Sequence, residues 1–433
     1  MTTKTRRTIF YLLVVLFFII GFFIIGYSQG ARLDFKTMKF VQTGGIYIQS
    51  FPTDSDIKLD DKNIDNKTGL LQAGTFIKNL LPENYYIEVF KTGFSNWEKQ
   101  TEVAASSVSV FDKIVLIPLD KSEKLGAGEN LYVAQEKLII KNKTGLSYRG
   151  EKILGDEIVA TMNNGTFISR NSINNTYYLN DFSNLKSPIN LSSLFNTTRE
   201  SKLNLDAPAD IVRVVALPQD DKKLVIKTSR SLYSLNLDNS DIQRLSSDVL
   251  DFSTENGLSW LEPEKIINYN TLLQSKEEFP LDYKIDESLK FESSPSSNSF
   301  AILEKNGKLK LFIKNSNEII DLSESAEDFT ISPDSSWIAF SETNGDVYFY
   351  NPEKEKYILL DKDPDERVKN ISWYRDSYHI FLEKSGNLIF QEVDDILPQN
   401  PVILGKSNKY FYDKNNQIYF IFESELFKLQ IGQ

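Results

Sequence analysis

Phe329-Thr330-Ile331-Ser332-Pro333-Asp334-Ser335-Ser336-Trp337-Ile338-Ala339-Phe340, followed by Asn344-Gly345-Asp346-Val347-Tyr348-Phe349-Tyr350-Asn351, reads as strand, turn, strand, turn, strand. Short apolar runs rich in aromatic and β-branched residues are separated by Pro/Asp/Ser and Asn-Gly turn chemistry. Related turns stand at Leu217-Pro218-Gln219-Asp220, Ser294-Pro295-Ser296-Ser297, Trp373-Tyr374-Arg375-Asp376 and Tyr412-Asp413-Lys414-Asn415. Pro295 to Pro333 spans 38 residues and Pro333 to Tyr374 spans 41. Pro218 to Pro295 spans 77, two units with a degenerate copy at Ser253–Trp260 between them. A period near 40 with three or four strands per unit predicts a β-propeller over residues 122–433, in which each blade needs neighbours to cover its faces. Extended upstream, the period predicts units near residues 135 and 174. The last segment, Lys409–Ile431, holds only three strands, which a strand from Asn130–Gln135 can complete, joining both ends of the chain in one blade. Sharing gives about seven blades and separate end blades eight. Closure matters because an open ring exposes edges that invite aggregation.

The copies Ser332-Pro333-Asp334 and Ile338-Ala339-Phe340 resemble the WD40-like propeller of the TolB type, whose blades carry Ser-Pro-Asp-Gly and then an Ile-Ala-Phe-like strand. Ser335 stands here in place of the Gly. One blade is close to that pattern and the others are degenerate. Propellers also precede the catalytic domain of prolyl-oligopeptidase-like serine hydrolases. No such domain is expected here: no Gly-x-Ser-x-Gly elbow occurs, and the sole His, His379, lies in the alternating run Ser377-Tyr378-His379-Ile380-Phe381 inside a blade.

Toward the other end, residues 9–27 (IFYLLVVLFFIIGFFIIGY) carry no charge, and at 1.5 Å per helical residue they match a hydrocarbon core of about 30 Å. A retained transmembrane helix is the favoured reading. A cleaved signal peptide is the alternative, with a weak small-x-small site at Ser28 and Gly30, but such peptides have apolar regions of about 7–15 residues. Lys4, Arg6 and Arg7 precede the run, which argues for a cytoplasmic tail at 1–8 and an extracytoplasmic bulk, although Arg32, Lys36 and Lys39 dilute the asymmetry. Residues 28–43 read as a linker.

Residues 44–119 read as a compact all-β unit with strands at Gly45–Ser50, Asp56–Leu59, Gly74–Asn79, Tyr85–Lys91, Trp97–Val103 and Ser109–Pro118. In the fourth, Tyr85, Ile87 and Val89 share one face and Tyr86, Glu88 and Phe90 the other. The stretch resembles a PEGA domain, a small extracytoplasmic β-sandwich of bacterial surface proteins. The resemblance rests on Ser50-Phe51-Pro52, Ile57-Lys58-Leu59-Asp60-Asp61, Leu81-Pro82-Glu83-Asn84-Tyr85, Gly93-Phe94 and Trp97 in the family's order. The tetrapeptide naming the family is replaced by Pro52-Thr53-Asp54-Ser55. The hairpin Gly is Asn84, expected to take a left-handed conformation, and the Gly-x-Thr-Pro after the second strand is blurred into Lys67-Thr68-Gly69-Leu70. Pro82 and Gly93 are expected to close turns. Phe94 and Trp97 could form a carbohydrate-stacking platform, but such aromatics more often plug the end of a small core.

Composition narrows the chemistry. A net charge of −11 and a pI near 5.0 disfavour nucleic acid, whose binders show a basic stripe. The absence of Cys removes disulfides and thiolate metal sites, and one His removes most catalytic designs that work near neutrality. Asp361, Asp363 and Asp365 have the alternation that opens a calcium loop, but Glu366 stands where Gly is wanted, Ser372 where the closing Glu belongs, and Pro364 stiffens the centre. A solvated connector fits them better. Asp60-Asp61, Asp220-Asp221 and Asp394-Asp395 are adjacent pairs that would point apart in strands. The sequons at Asn142, Asn164 and Asn196 are common by chance in so Asn-rich a chain, and the Ser/Asn richness of 171–198 marks longer loops in an early blade.

The sequence therefore predicts an all-β protein: an N-terminal transmembrane helix, a small PEGA-like β-sandwich, then a β-propeller. Its expected role is a non-enzymatic, single-pass envelope protein, with no cofactor or catalytic residue, presenting the propeller to an envelope protein or cell-surface glycan. A carboxylate-dependent, glycan-active enzyme with its site in the propeller cavity is the alternative.

Overall fold

The same grammar of short strands appears in a computed structural model, which describes residues 3–28, 30–34, 38–68, 73–119, 122–134, 137–205, 207–217, 220–271, 273–296, 298–361, 368–407, 409–413 and 415–431. The chain divides into two compact units. The first takes in residues 1–120 and 395–400, and the second residues 121–394 and 401–431.

In the first unit, α1 (Thr3–Ser28) is the apolar helix, and a 24-residue stretch of it, Thr5–Ser28, is long and apolar enough to cross a membrane. A hairpin follows, β1 (Ala31–Asp34) with β2 (Lys39–Gln42), where the sequence suggested a plain linker. Two sheets come next. One has the order β6-β3-β9, from Thr75–Leu80, Gly44–Phe51 and Val108–Val115; the other β5-β4-β7-β8, from Lys62–Ile64, Asp56–Leu59, Asn84–Phe90 and Trp97–Glu102. Ile46 and Ile48 of the first sheet share a buried core with Ile57, Ile87, Val89 and Trp97 of the second, which makes a two-layer sandwich. Tyr85, Ile87 and Val89 are buried while Tyr86, Glu88 and Phe90 are not, as the alternation requires.

Two local expectations change here. Asn84 is not left-handed; it opens β7 as an ordinary strand residue, and the positive φ angles fall at Asp60 (47°) and Asp61 (64°), the paired left-handed residues of a tight two-residue hairpin. Asp60-Asp61 is thus a turn and not a strand pair. Gly93 does close its turn, at φ 82°. Gly69 and Leu70 lie outside the described residues. The outer edge of β8 is covered by residues 395–400: Gln100 N donates to Leu397 O at 3.1 Å, and Asn400 both accepts from Glu98 N (3.0 Å) and donates to Glu98 O (2.9 Å). A covered edge cannot recruit a foreign strand.

Among the described residues, the second unit holds eight four-stranded antiparallel sheets. Seven are consecutive in the chain, at 130–153, 157–190, 213–246, 251–280, 288–323, 326–361 and 368–406, here blades one to seven. Blade eight combines Lys409–Tyr412, Gln417–Phe422 and Glu425–Gln430 with Glu123–Ala127 from the other end of the unit. Both ends do share a blade, but the strand that returns is Glu123–Ala127 rather than one from Asn130–Gln135. The latter stretch contributes the first strand of blade one, and the count is therefore eight, the larger of the two expected. The first strands of blades one and eight touch, so the ring is closed.

Apolar cores lie between blades, not within them. Phe167 of blade two packs with Ile139 and Leu146 of blade one; Trp260 of blade four with Val225 and Leu232 of blade three; Phe340 of blade six with Leu303 and Leu311 of blade five. Leu131 of blade one meets Ile421 and Leu426 of blade eight at the seam. The Ser/Asn-rich region expected to be loop includes a helix, α2 (Leu191–Leu203), whose Asn190 cap accepts from Ser193 N and whose Leu191 and Phe195 enter the core of blades two and three. The sequon residue Asn196 lies in this helix, donating to Ser192 O and Ala209 O.

Leu426 is fully buried at the seam. Leu426→Ala is expected to cost about 2–5 kcal/mol in denaturant unfolding. A change within about 0.5 kcal/mol would contradict a packed seam.

Candidate functional site

In blades three to six, the residue just before a buried apolar side chain on the first strand is charged, and its sign alternates: Arg213 before Val214, Asp251 before Phe252, Lys290 before Phe291, Asp328 before Phe329. Opposite charges of neighbouring first strands meet between blades three and four and between blades five and six. Arg213 pairs with Asp251 at 3.0 Å and donates to Phe252 O at 3.0 Å. Lys290 repeats the arrangement one pair further round, meeting Asp328 at 2.9 Å and Phe329 O at 2.6 Å. Asp251 Oδ2 also accepts from Phe291 N at 3.1 Å, which links blades four and five. These bonds join residues 38 to 40 positions apart, the repeat length itself.

Burial pushes Asp251 above the ordinary carboxylate range, against the opposing pull of Arg213 and its amide donors. Glu292, two residues beyond Lys290, is also raised by burial, with the ammonium 3.2 Å away working against the shift. Lys290 sits between two carboxylates. Burial disfavours its charge, yet Glu292 and Asp328 hold it above its usual value.

A second constellation is built by turns. In blade six, Asp334 Oδ1 accepts from Ser332 Oγ (2.7 Å), Ser336 N (2.9 Å) and Ser336 Oγ (2.6 Å), while Ser335 takes φ 64°. Glycine adopts that left-handed angle freely, whereas an L-residue there costs roughly 1–2 kcal/mol. The hydroxyl gives something back, because Ser335 Oγ accepts from Ser296 N of blade five at 2.9 Å. Ser377 repeats the device, with φ 56° and Oγ accepting from Asp334 N of blade six at 3.0 Å. The groove between blades five and six on this face has a volume of about 700 Å³. Its walls carry the carboxylates Glu318, Asp334, Glu353 and Glu355, and the rings of Tyr350 and Tyr357, whose centroids lie 4.5 Å apart. Ser296, Ser299, Ser335 and Ser336 add hydroxyls.

Near the axis, a recess among blades one, seven and eight is lined by Trp373, Tyr410, Phe411 and Tyr412, with no carboxylate among its described lining. Tyr410 OH and Ser372 Oγ are 2.7 Å apart, and burial pushes the Tyr410 phenol up to about 12. His379 is buried, 2.7 Å from Asp376 through Nδ1 and stacked on Phe390. Asp376 also accepts from the amides of Tyr378 and His379, so the pair braces a turn equivalent to that of Asp334.

The aromatic candidates Phe94 and Trp97 belong to the first unit. Trp97 is 4% exposed and edge-on to Phe111 at 5.4 Å. Phe94 is half-buried against the same core, with Lys91 Nζ 5.3 Å from its ring. Of the calcium-loop candidates, Asp363 and Asp365 lie outside the described residues, and Asp361 is described only as the end of a strand. Pro218, Gln219, Ser297 and Lys414 of the repeated turns also lie outside them. The alternating charges before Phe252, Phe291 and Phe329 went unread in the sequence, though their spacing matches the repeat. The groove tyrosines come from different strands and carried no such signal.

No protein-family model matches the chain, and no curated protein matches it. Among solved structures it is similar to a chain of a mitotic checkpoint complex, at 11% identity and a TM-score of 0.44 over 65% of this chain and 92% of that one. It is also similar to streptogramin B lyase, at 11% identity and a TM-score of 0.40 over 64% of this chain and 92% of that one. The propeller assignment stands on the sheet order above.

Because Asp251 titrates higher folded than unfolded, its contribution to stability is greatest below the unfolded value of about 4 and is lost as pH rises through the folded one; Arg213 limits that loss. Arg213→Ala is expected to cost about 1–3 kcal/mol at neutral pH, with the deficit shrinking as pH falls toward 4 and Asp251 takes up a proton. Urea midpoints across that range measure it. A deficit independent of pH would contradict the pairing.

Proposed function

We propose that this chain is a non-enzymatic, single-pass envelope protein whose propeller binds a protein or glycan partner outside the cytoplasm. The single observation that carries the reading is the open groove between blades five and six, where Tyr350 and Tyr357 stand among four carboxylates and a row of hydroxyls. Tyr357, 47% exposed, offers a ring face backed by the buried Tyr350, and the hydroxyls and carboxylates accept hydrogen bonds from sugar hydroxyls or basic side chains. In this reading residues 1–8 are a cytoplasmic tail, 9–27 the span, 44–119 a PEGA-like module and 122–433 a propeller of the TolB type.

The PEGA-like assignment is supported by the two-layer sandwich core, the turn at Gly93 and the sequence order from Ser50-Phe51-Pro52 to Trp97. The TolB-type assignment is supported by Ser332-Pro333-Asp334 with a left-handed residue next. Retention of α1 confines the protein to the membrane and raises the effective concentration of partners held there, so weak contacts suffice.

A carboxylate-dependent, glycan-active enzyme is the second reading, favoured by Glu292 and Asp328 sharing Lys290, with the Glu292 pKa raised by burial. A proton held on Glu292 could serve a leaving group. Release of reducing ends from cell-wall glycan that is abolished by Glu292→Gln, with folding intact, would favour it.

For the binding reading, a photo-crosslinker replaces Tyr357 or, as a control, Ile173, which is 94% exposed, in full-length protein in its own membranes. Position 357 is expected to give a discrete adduct that falls at least about tenfold, equivalent to about 1.4 kcal/mol, with Tyr350→Ala or Glu353→Gln. Equal capture at both positions, or capture indifferent to these substitutions, would contradict a site in the groove.

A further inference from the structure

The hairpin between α1 and the sandwich does not run on away from the helix. Phe40 of β2 meets Phe23 of α1, with ring centroids 5.9 Å apart. Phe23 lies before the end of the helix at Ser28, a distance of roughly 7–8 Å back along the axis at 1.5 Å per residue. The hairpin therefore folds down beside the last turns of the apolar span.

Its base is fixed. Thr43 donates to Gly30 O through its amide (3.0 Å) and hydroxyl (2.7 Å). Arg32 stacks its guanidinium 3.6 Å from the Tyr27 ring centre and donates to Tyr27 O at 2.8 Å and Asn79 Oδ1 at 3.0 Å. Two large apolar side chains of the hairpin stay uncovered: Met38, at its turn, is 72% and Phe40 63% exposed. Phe40 borders one apolar cleft of about 690 Å³ together with Phe22, Phe23, Ile25 and Leu33, with Arg32 on its rim.

We propose that β1 and β2 form a second membrane element, lying in the interface of the leaflet from which α1 emerges, with phospholipid filling the cleft. The proposal rests on the reading that α1 spans the bilayer. Continuity identifies the occupant: the cleft is formed partly by residues of the apolar run, so whatever solvates Phe22 and Phe23 reaches Phe40. If the hydrocarbon boundary falls near Tyr27, Phe40 lies at or just inside it. Tyr27 is placed as interfacial aromatics are, and Lys39 can extend toward lipid phosphates while its stem stays in the apolar layer. Entry of Met38 and Phe40 into the apolar layer would remove both side chains from water, which favours the hairpin lying against the bilayer.

The chain has no Cys, so single-cysteine variants of the full-length protein can be spin-labelled in vesicles of phosphatidylethanolamine and phosphatidylglycerol. Phe17→Cys reports the span, Met38→Cys and Phe40→Cys the hairpin, and Ile173→Cys a water-exposed reference. At the two hairpin positions the accessibility to oxygen, relative to a water-soluble nickel complex, is expected to be several-fold above that at position 173. Hairpin labels that behave like position 173 while position 17 is in lipid overturn the proposal and leave the anchor standing. A water-accessible label at position 17 overturns the anchor, and this proposal with it.

Discussion

The pairing of Glu123–Ala127 with Glu425–Gln430 is the constraint on which the second unit depends. Each blade is a sheet with two apolar faces, and the buried clusters lie between blades. A sheet of this kind is stable only when both faces are covered, so the first and last blades must meet. They do so by borrowing: three strands from the end of the chain accept the outermost strand from the start of the unit, and Leu131, Ile421 and Leu426 fill the seam. One exchange of backbone hydrogen bonds thereby converts a row of sheets into a ring.

Polar contacts then fix the register between neighbours. Apolar burial is non-directional and tolerates a slip; a bond from Arg213 to Asp251 and Phe252 O, or from Ser296 N to Ser335 Oγ, does not. Ser335 and Ser377 show the compromise clearly. Glycine would relieve the left-handed backbone at each position, but only a hydroxyl can accept the amide of the preceding blade. The Asp334 and Ser335 turn forms part of the wall of the groove between blades five and six.

Much of this was legible because the repeat is written in turn residues. Ser332-Pro333-Asp334 and Asn344-Gly345 mark where strands must reverse, and their spacing fixes the blade period. The alternation of Tyr85, Ile87 and Val89 likewise gives the buried face of β7. Other features depend on non-local competition. Asn84 could have been left-handed, but Asp60 and Asp61 form their own turn, and the pairing of β7 with β4 and β8 keeps Asn84 extended. The strand that closes the ring could not be singled out from periodicity, because two adjacent candidates, Glu123–Ala127 and Asn130–Ala134, are both short and β-like. The helix at Leu191–Leu203 was masked by its Ser and Asn content, although Asn190 and the spacing of Leu191, Leu194 and Phe195 carry a capped amphipathic signal. The groove was illegible for a different reason: its tyrosines and carboxylates meet only after two blades dock.

Closure of the eight-bladed ring rests on strand exchange between distant parts of one chain. Glu123 and Lys428 are direct cross-strand partners, and the natural chain has no cysteine to compete, so the double variant Glu123→Cys, Lys428→Cys tests closure most directly. Mild oxidation of the monomeric full-length protein should give an intramolecular disulfide, detected as a non-reducing mobility shift and a mapped crosslinked peptide. A thiol at position 123 that crosslinks no better to position 428 than to a cysteine replacing Leu273, exposed on blade four, would contradict the closed ring.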